Sequence, residues 1–226
     1  MVKKINIAGI QLDNDTVRES ILRIEREDAP TFQTIEEISI DMLLMAESDG
    51  KLKEVLQSLD YTILSDSGIL AVVDQRSMQR IHEIDEHDFY YELMKRMEKK
   101  HKNIFILGMS REELEDTKAG ILRDFPECNI VGMEALEDCQ GTSDSIVNEV
   151  NAATPDMVLS VLPTPEQEYF LQEHKGMLSA NIWYGIGRIR LDRKEKGLAA
   201  GLRNYSNQQK LRRMASHYVN SHEGSS

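Results

Sequence analysis

Met157-Val158-Leu159-Ser160-Val161-Leu162-Pro163-Thr164-Pro165-Glu166-Gln167-Glu168, continuing through His174 to Ile182-Trp183-Tyr184-Gly185-Ile186-Gly187, is the stretch that decides the fold. A short apolar run bounded by prolines reads as a buried strand, the segment to His174 as a helix, and the second apolar run as another strand. That order is one β-α-β unit. Thr164 is placed to cap the helix, Pro165 suits its first position, and Gln167 stands where a capping box returns its bond. In an open α/β sheet such a turn lies at the carboxyl end of a strand. Free helix amides and the helix dipole there favour an anionic group such as a phosphate. Function is expected to concentrate at this turn.

Working outward, Asn103-Ile104-Phe105-Ile106-Leu107-Gly108 repeats the logic. It predicts a buried strand ending in Gly108, then a helix capped by Ser110 with Glu113 at the capping-box position, stopped near Phe125 by Pro126. Residues 129–132 read as a short strand, and Thr142 or Ser143 caps a helix through Ala153. In the first half, Asp15 or Thr16 caps a helix through Arg26. Residues 38–48 and 52–59 read as helices broken by Asp49-Gly50, residues 61–64 as a strand, 69–73 as a strand or a buried helix start, and 88–100 as an amphipathic helix. Strands alternating with helices of this length predict an α/β fold with a mostly parallel sheet.

The chain has 226 residues and a net charge of -12, unevenly spread. Residues 188–213 hold nine basic against two acidic side chains, so an acidic body carries a basic C-terminal segment. That pattern argues against general nucleic-acid binding and for one local anionic partner, a bound phosphate or a membrane surface. The segment has Leu191, Leu198, Leu202 and Leu211 but few aromatic anchors, so an interfacial helix and a solvated charged face both stay open. No run approaches the roughly 20 apolar residues needed to span a bilayer. The opening ten residues break at Gln11 without a small-residue cleavage site, so no signal peptide is expected and a cytoplasmic location is. Cys128 and Cys139 have no metal or CxxC spacing and read as reduced. Asp13-Asn14-Asp15 has the Asp-x-Asp form of a cation site, with helix capping as the competing explanation. His82, Asp85, His87 and Asp88 match no standard metal spacing. Neither a nucleophile elbow nor a phosphate loop is present. The layout is a body over 1–187, a basic appendage over 188–220 and a disordered tail over 221–226.

The succession of motifs resembles the WecG/TagA/CpsF family, glycosyltransferase family 26. The matching stretches are Ser39-Ile40-Asp41-Met42-Leu43-Leu44-Met45-Ala46, Ser65-Asp66-Ser67-Gly68-Ile69, Arg80-Ile81-His82-Glu83-Ile84-Asp85, Phe105-Ile106-Leu107-Gly108 and Leu162-Pro163-Thr164-Pro165-Glu166-Gln167-Glu168. They cover about residues 5–190 in order. The resemblance implies a Rossmann-like sheet and transfer of a sugar, commonly N-acetylmannosamine, from a UDP-sugar donor to a lipid-linked sugar acceptor at the inner face of the membrane. It implies no metal and no cofactor, and a C-terminal appendage that reaches the membrane. By residue match, Asp66 is the candidate catalytic base, and Arg80 and Gln167 contact substrate or nucleotide. Gly108, Thr164 and Gly185 complete the expected nucleotide-binding set around the two strand-helix turns. Homo-oligomerisation stays open.

The chain departs from the family pattern where Asp66-Ser67-Gly68 replaces Asp-Gly, and Glu37-Ile38-Ser39 replaces Thr-x-Asn. Glu83 stands beside Arg80 in place of a glycine, and Ser160 and Pro163 stand where flexible glycines are expected. These departures motivate a second reading: a catalytically degenerate member acting as a binding or scaffolding partner. Each chosen residue also has a plain structural role open to it. Gln167 can complete a capping box, Arg80 can pair with Glu83, and Asp66 can cap the turn at Ser67-Gly68.

Overall fold

The computed structural model describes residues 3–26, 31–75, 77–139, 143–187 and 198–223, with side chains over 206–218 of the last segment. The hairpin β1 (Lys4–Ile7) and β2 (Ile10–Asp13) comes first, then α1 (Val17–Ile24), β3 (Gln33–Ile38), α2 (Ile40–Met45), α3 (Gly50–Gln57) and β4 (Tyr61–Leu64). Helices α4 (Gly68–Val72), α5 (Met78–Asp85) and α6 (Asp88–Lys99) lead to β5 (Asn103–Gly108), α7 (Arg111–Asp124) and β6 (Asn129–Ala135). A 3-10 turn (Leu136–Asp138), α8 (Asp144–Ala153), β7 (Met157–Ser160), α9 (Glu166–His174), β8 (Ile182–Gly185) and α10 (Leu198–Glu223) complete the order.

Strands β3 to β8 form one six-stranded sheet in the order β4-β3-β8-β7-β5-β6, every pair parallel. Apolar side chains of α1, α6 and α7, among them Ile21, Leu93 and Ile121, fill one face. Those of α8 and α9, such as Val147 and Phe170, fill the other, and Met42, Leu43, Leu52 and Leu56 of α2 and α3 extend that layer under α10. This is the Rossmann-like α/β arrangement the alternation predicts. The chain leaves β5 toward the β6 edge and leaves β7 toward β8, so the strand order reverses between β5 and β7. A crevice at the carboxyl ends of the strands opens at such a reversal.

The decisive β-α-β unit is present, and β5 coincides with its expected span. Residues 69–73 resolve as helix, with α4 over Gly68–Val72. Thr16 caps α1 in a full capping box with Glu19, while Asp15 accepts instead from Arg23 Nη1 (2.5 Å) and the Lys3 amide (3.1 Å).

Three local expectations are corrected. Thr164 does not cap α9 and Gln167 is not its capping-box residue: Pro165 occupies the cap position without a side-chain bond. The Thr164 hydroxyl instead donates to the buried Glu168 Oε1 (3.0 Å). Ser143 likewise makes no cap for α8, because its Oγ faces His174 Nε2 (2.9 Å); Thr142 lies outside the described residues. The helix expected from residue 38 starts at Ile40 under a Ser39 cap, and Ile38 ends β3, a strand the sequence pattern did not announce. Gln33-Thr34-Ile35-Glu36-Glu37-Ile38 is buried at every position, although two of its six residues are glutamates. A strand covered on both faces has no polar-apolar alternation to reveal it, and adjacent acids disguise the rest.

Candidate functional site

The site is built from the ends of β3, β7 and β8. In the parallel register Ser160, Gly185 and Glu36 stand level across the three strands. Helix α9 starts over this row and lowers Gln167 and Glu168 onto it, both with no exposed surface. Gly185 makes that close approach feasible. A Cβ there would stand 2.5 Å from Gln167 Nε2 and 3.0 Å from Glu36 Cγ, so only glycine leaves room for the amide. Gln167 Oε1 then accepts from the Gly187 amide (3.2 Å), tying the start of α9 to the exit of β8. Thr164 and Gln167, read together at one helix start, and Gly185 from the following strand therefore form one cluster.

Under this cluster lies an arrangement the sequence reading missed. Glu36 is fully buried and accepts from Trp183 Nε1 (3.2 Å), and its carboxyl lies within hydrogen-bonding reach of the equally buried Glu168. Burial first, then the charge of Glu168, pushes the Glu36 carboxyl well above the ordinary range. Burial pushes Glu168 up to about 7 against the bond from Thr164. Glu168 stood in the quoted motif beside Gln167; Glu36 carried only the oddity of acids between Ile35 and Ile38.

On the opposite face of β3, Glu37 accepts from the Tyr184 hydroxyl (2.5 Å). Burial lifts its carboxyl to about 7, and the tyrosine bond offsets only part of that. Arg80 lines a small enclosed space of about 10 Å³ with Glu37, Leu64, Glu83 and Phe89. Rather than a surface pair, it is a buried one: Arg80 Nη1 meets Glu83 Oε2 at 2.6 Å, and Nε donates to Asn14 Oδ1 at 3.4 Å. Glu83 in turn accepts from the Val17 amide at the start of α1 (3.2 Å).

Asp66 follows β4. Its Oδ1 accepts from the Gly68 amide (2.8 Å), which is the turn-capping role. Burial raises its carboxyl above the ordinary value, the Gly68 bond lowers it in part, and Asp41 and Asp85 raise it further. Helix α10 lies alongside: Gln208 donates to the Gly68 carbonyl (3.2 Å), Asn207 to Asp41 (2.5 Å) and Arg212 to the Ala71 carbonyl (3.0 Å). Gly108 ends β5 packed against Leu114 and Val161. The amides around the α7 start are taken by the chain itself, Met109 N–H by Glu113 and Arg111 N–H by Glu137. The expected site residues thus fall into four places at one end of the sheet: Thr164, Gln167 and Gly185 at the centre, Asp66 under α10, Arg80 beside Glu37, and Gly108 at the end of β5 against Leu114. Asp13 and Asp15 bind Arg23, with Lys4 also on Asp13. Among the described residues no group of three or more His, Cys, Asp or Glu side chains is placed to hold a metal ion.

Residues 5–190 match the Glycosyl transferase WecG/TagA/CpsF family along this whole arrangement, from the hairpin to the exit of β8. The chain belongs to that family. Among its relatives is the N-acetylglucosaminyldiphosphoundecaprenol N-acetyl-beta-D-mannosaminyltransferase of Bacillus spizizenii, 26% identical over 144 residues, which are 63% of this chain and 54% of the relative. An enzyme of the same description from Staphylococcus aureus is 19% identical over 192 residues, 81% of this chain and 73% of the relative. The chain thus spans about half the length of the Bacillus family member. The family match takes in the Gln167-Glu168 pair, Arg80 and Asp66, and it stops where the basic segment begins. Residues 188–197 of that segment lie outside the described residues.

Proposed function

We propose that this chain transfers an N-acetylhexosamine, N-acetylmannosamine or a close analogue, from a UDP-sugar to a polyprenyl-diphosphate-linked acceptor at the inner face of the membrane. The observation that carries this reading is the convergence of Thr164, Gln167 and Gly185 at the carboxyl ends of β7 and β8, within a family match covering residues 5–190. The names of the Bacillus and Staphylococcus relatives supply the sugar and the lipid-linked acceptor.

In this scheme the acceptor hydroxyl attacks the anomeric carbon of the donor and the C–O bond to the diphosphate breaks. Asp66 takes the hydroxyl proton, and burial raises its affinity for that proton above that of an ordinary aspartate. Gln167 orients sugar or phosphate. Arg80 offsets charge on the leaving diphosphate, which requires its guanidinium to exchange part of its bond to Glu83. No metal enters the scheme, so turnover is expected to survive a chelator. No helix among the described residues is long and apolar enough to cross a membrane, which suits contact with the lipid-held acceptor from one side.

The Arg80-Glu83-Asn14 lock favours a second reading, a family member that binds a partner without catalysis. Calorimetric titration with UDP and UDP-N-acetylmannosamine separates the two. Saturable binding lost in Arg80→Ala and Gln167→Ala supports the transferase; no heat at millimolar ligand supports the non-catalytic reading.

A further inference from the structure

Two buried carboxyl oxygens at the start of α9 have no hydrogen-bond partner among the described residues. Glu36 Oε2 and Glu168 Oε2 are both inaccessible to solvent and neither receives a hydrogen bond, while the two carboxyl groups lie within bonding reach of each other. Ionised carboxylates only accept, so two of them side by side out of reach of solvent leave both oxygens unsatisfied and repelling. One proton removes the conflict, because the protonated carboxyl donates to the other. We infer that Glu36 and Glu168 hold a single proton between their carboxyl groups, and that this shared proton is the clamp that keeps Gln167 seated over Gly185.

The surroundings fit no other arrangement as well. The remaining bonds to the pair come from Trp183 Nε1 and the Thr164 hydroxyl, with a long contact from Gln167 Nε2 (3.5 Å); all are neutral donors. Glu37, the next titratable neighbour on β3, points to the other face and is bound to Tyr184. Gln167 sits directly on the pair: its amide nitrogen touches Glu168 and its oxygen holds the Gly187 amide. Loss of the proton would place two negative charges under α9, push Glu168 and the Gln167 backbone away from β3, and loosen the Gln167 to Gly187 bond. Glu36 and Glu168 are on this view positioning residues for Gln167. Only the last step, from Gln167 to the donor, rests on the transferase reading.

The molecule carries its own probe, since Trp183 is the only tryptophan and donates directly to Glu36. Trp183 fluorescence, and the Gly187 amide shift by NMR, are followed together from about pH 4 to pH 9 in the wild type and in Glu36→Gln, Glu168→Gln and Glu37→Gln. The expected result is one shared transition well above the ordinary glutamate value, kept in Glu37→Gln and absent from the other two, where an amide donates permanently. Donor affinity measured on the same samples is expected to fall roughly tenfold across that transition in the wild type and to stay level in Glu36→Gln. A Trp183 transition at the ordinary glutamate value, or one that survives Glu36→Gln, overturns the shared proton. A Gly187 amide that ignores the transition overturns the clamp. Absence of donor binding at every pH would instead count against the transferase reading, with fluorescence and NMR still deciding the proton.

Discussion

At the scale of single residues, the chain keeps carboxyl groups where solvent cannot reach them, and this fixes a pH dependence of stability. Glu37 titrates at about 7 when folded and near the ordinary glutamate value when unfolded. Between those values the unfolded chain ionises while the folded chain keeps its proton, so stability falls as pH rises through this window and levels off above it. The penalty at neutral pH is on the order of 3 kcal/mol. Glu37→Gln, whose amide oxygen still accepts from Tyr184, is therefore expected to raise neutral-pH stability by about 1–3 kcal/mol and flatten this part of the dependence, read by denaturant unfolding at pH 5 and pH 8. Gly185→Ala tests the close approach of Gln167 to β8. The added methyl meets Gln167 at 2.5 Å, so a loss of about 1–3 kcal/mol and weakened donor binding are expected, the second measurable by calorimetry even where the fold survives. Gln167 was legible as a candidate because it lies in a motif. Glu36 was not, because its meaning comes from Trp183 and Glu168, which only the sheet brings beside it.

At the scale of elements, strands bounded by turn residues were the readable ones. Asn103–Gly108 and the β7-α9-β8 unit announce themselves by continuous apolar runs closed by glycine or proline. Strand β3 and the hairpin before α1 do not, since their polar residues are satisfied by partners far along the chain, Asp13 by Thr62 and Thr34 by Asp60. The basic C-terminal segment read as charge, yet in α10 the side chains that decide its place are Leu211, wholly buried, and Met214, in the layer formed by α2 and α3. Leu211→Ala is expected to cost about 2–5 kcal/mol of docking free energy. The damage should be local: hydrogen exchange should speed up in α10 and around Gly68 while β5 stays protected, and uniform loss of protection would show that α10 is integral to the global fold.

At the scale of the whole molecule, a net charge of -12 combined with an excess of nine basic over two acidic side chains in residues 188–213 gives a strong electrical asymmetry along the sequence. If that segment meets the acceptor-bearing membrane as proposed, co-sedimentation with vesicles should require anionic lipid and be lost near about 1 M salt, where screening is effective within a few ångströms. Indifference to lipid charge would remove the membrane role of the segment. One end of the sheet order raises a different matter. Strand β4 is an edge, and an open strand edge invites pairing with another chain. Here the Thr62 amide already donates to Asp13 Oδ2 (3.0 Å), and the Asp13 amide donates back to Thr62 Oγ1 (2.6 Å). Burial pushes the Asp13 carboxyl up, but Lys4, Thr62 and Arg23 together hold it below the usual range, so it stays an acceptor through mild acid. The hairpin is thus a guard against polymerisation: Asp13→Ala should leave the Gln167–Gly185 cluster intact and yet shift the preparation toward β-rich aggregates, read by light scattering and circular dichroism.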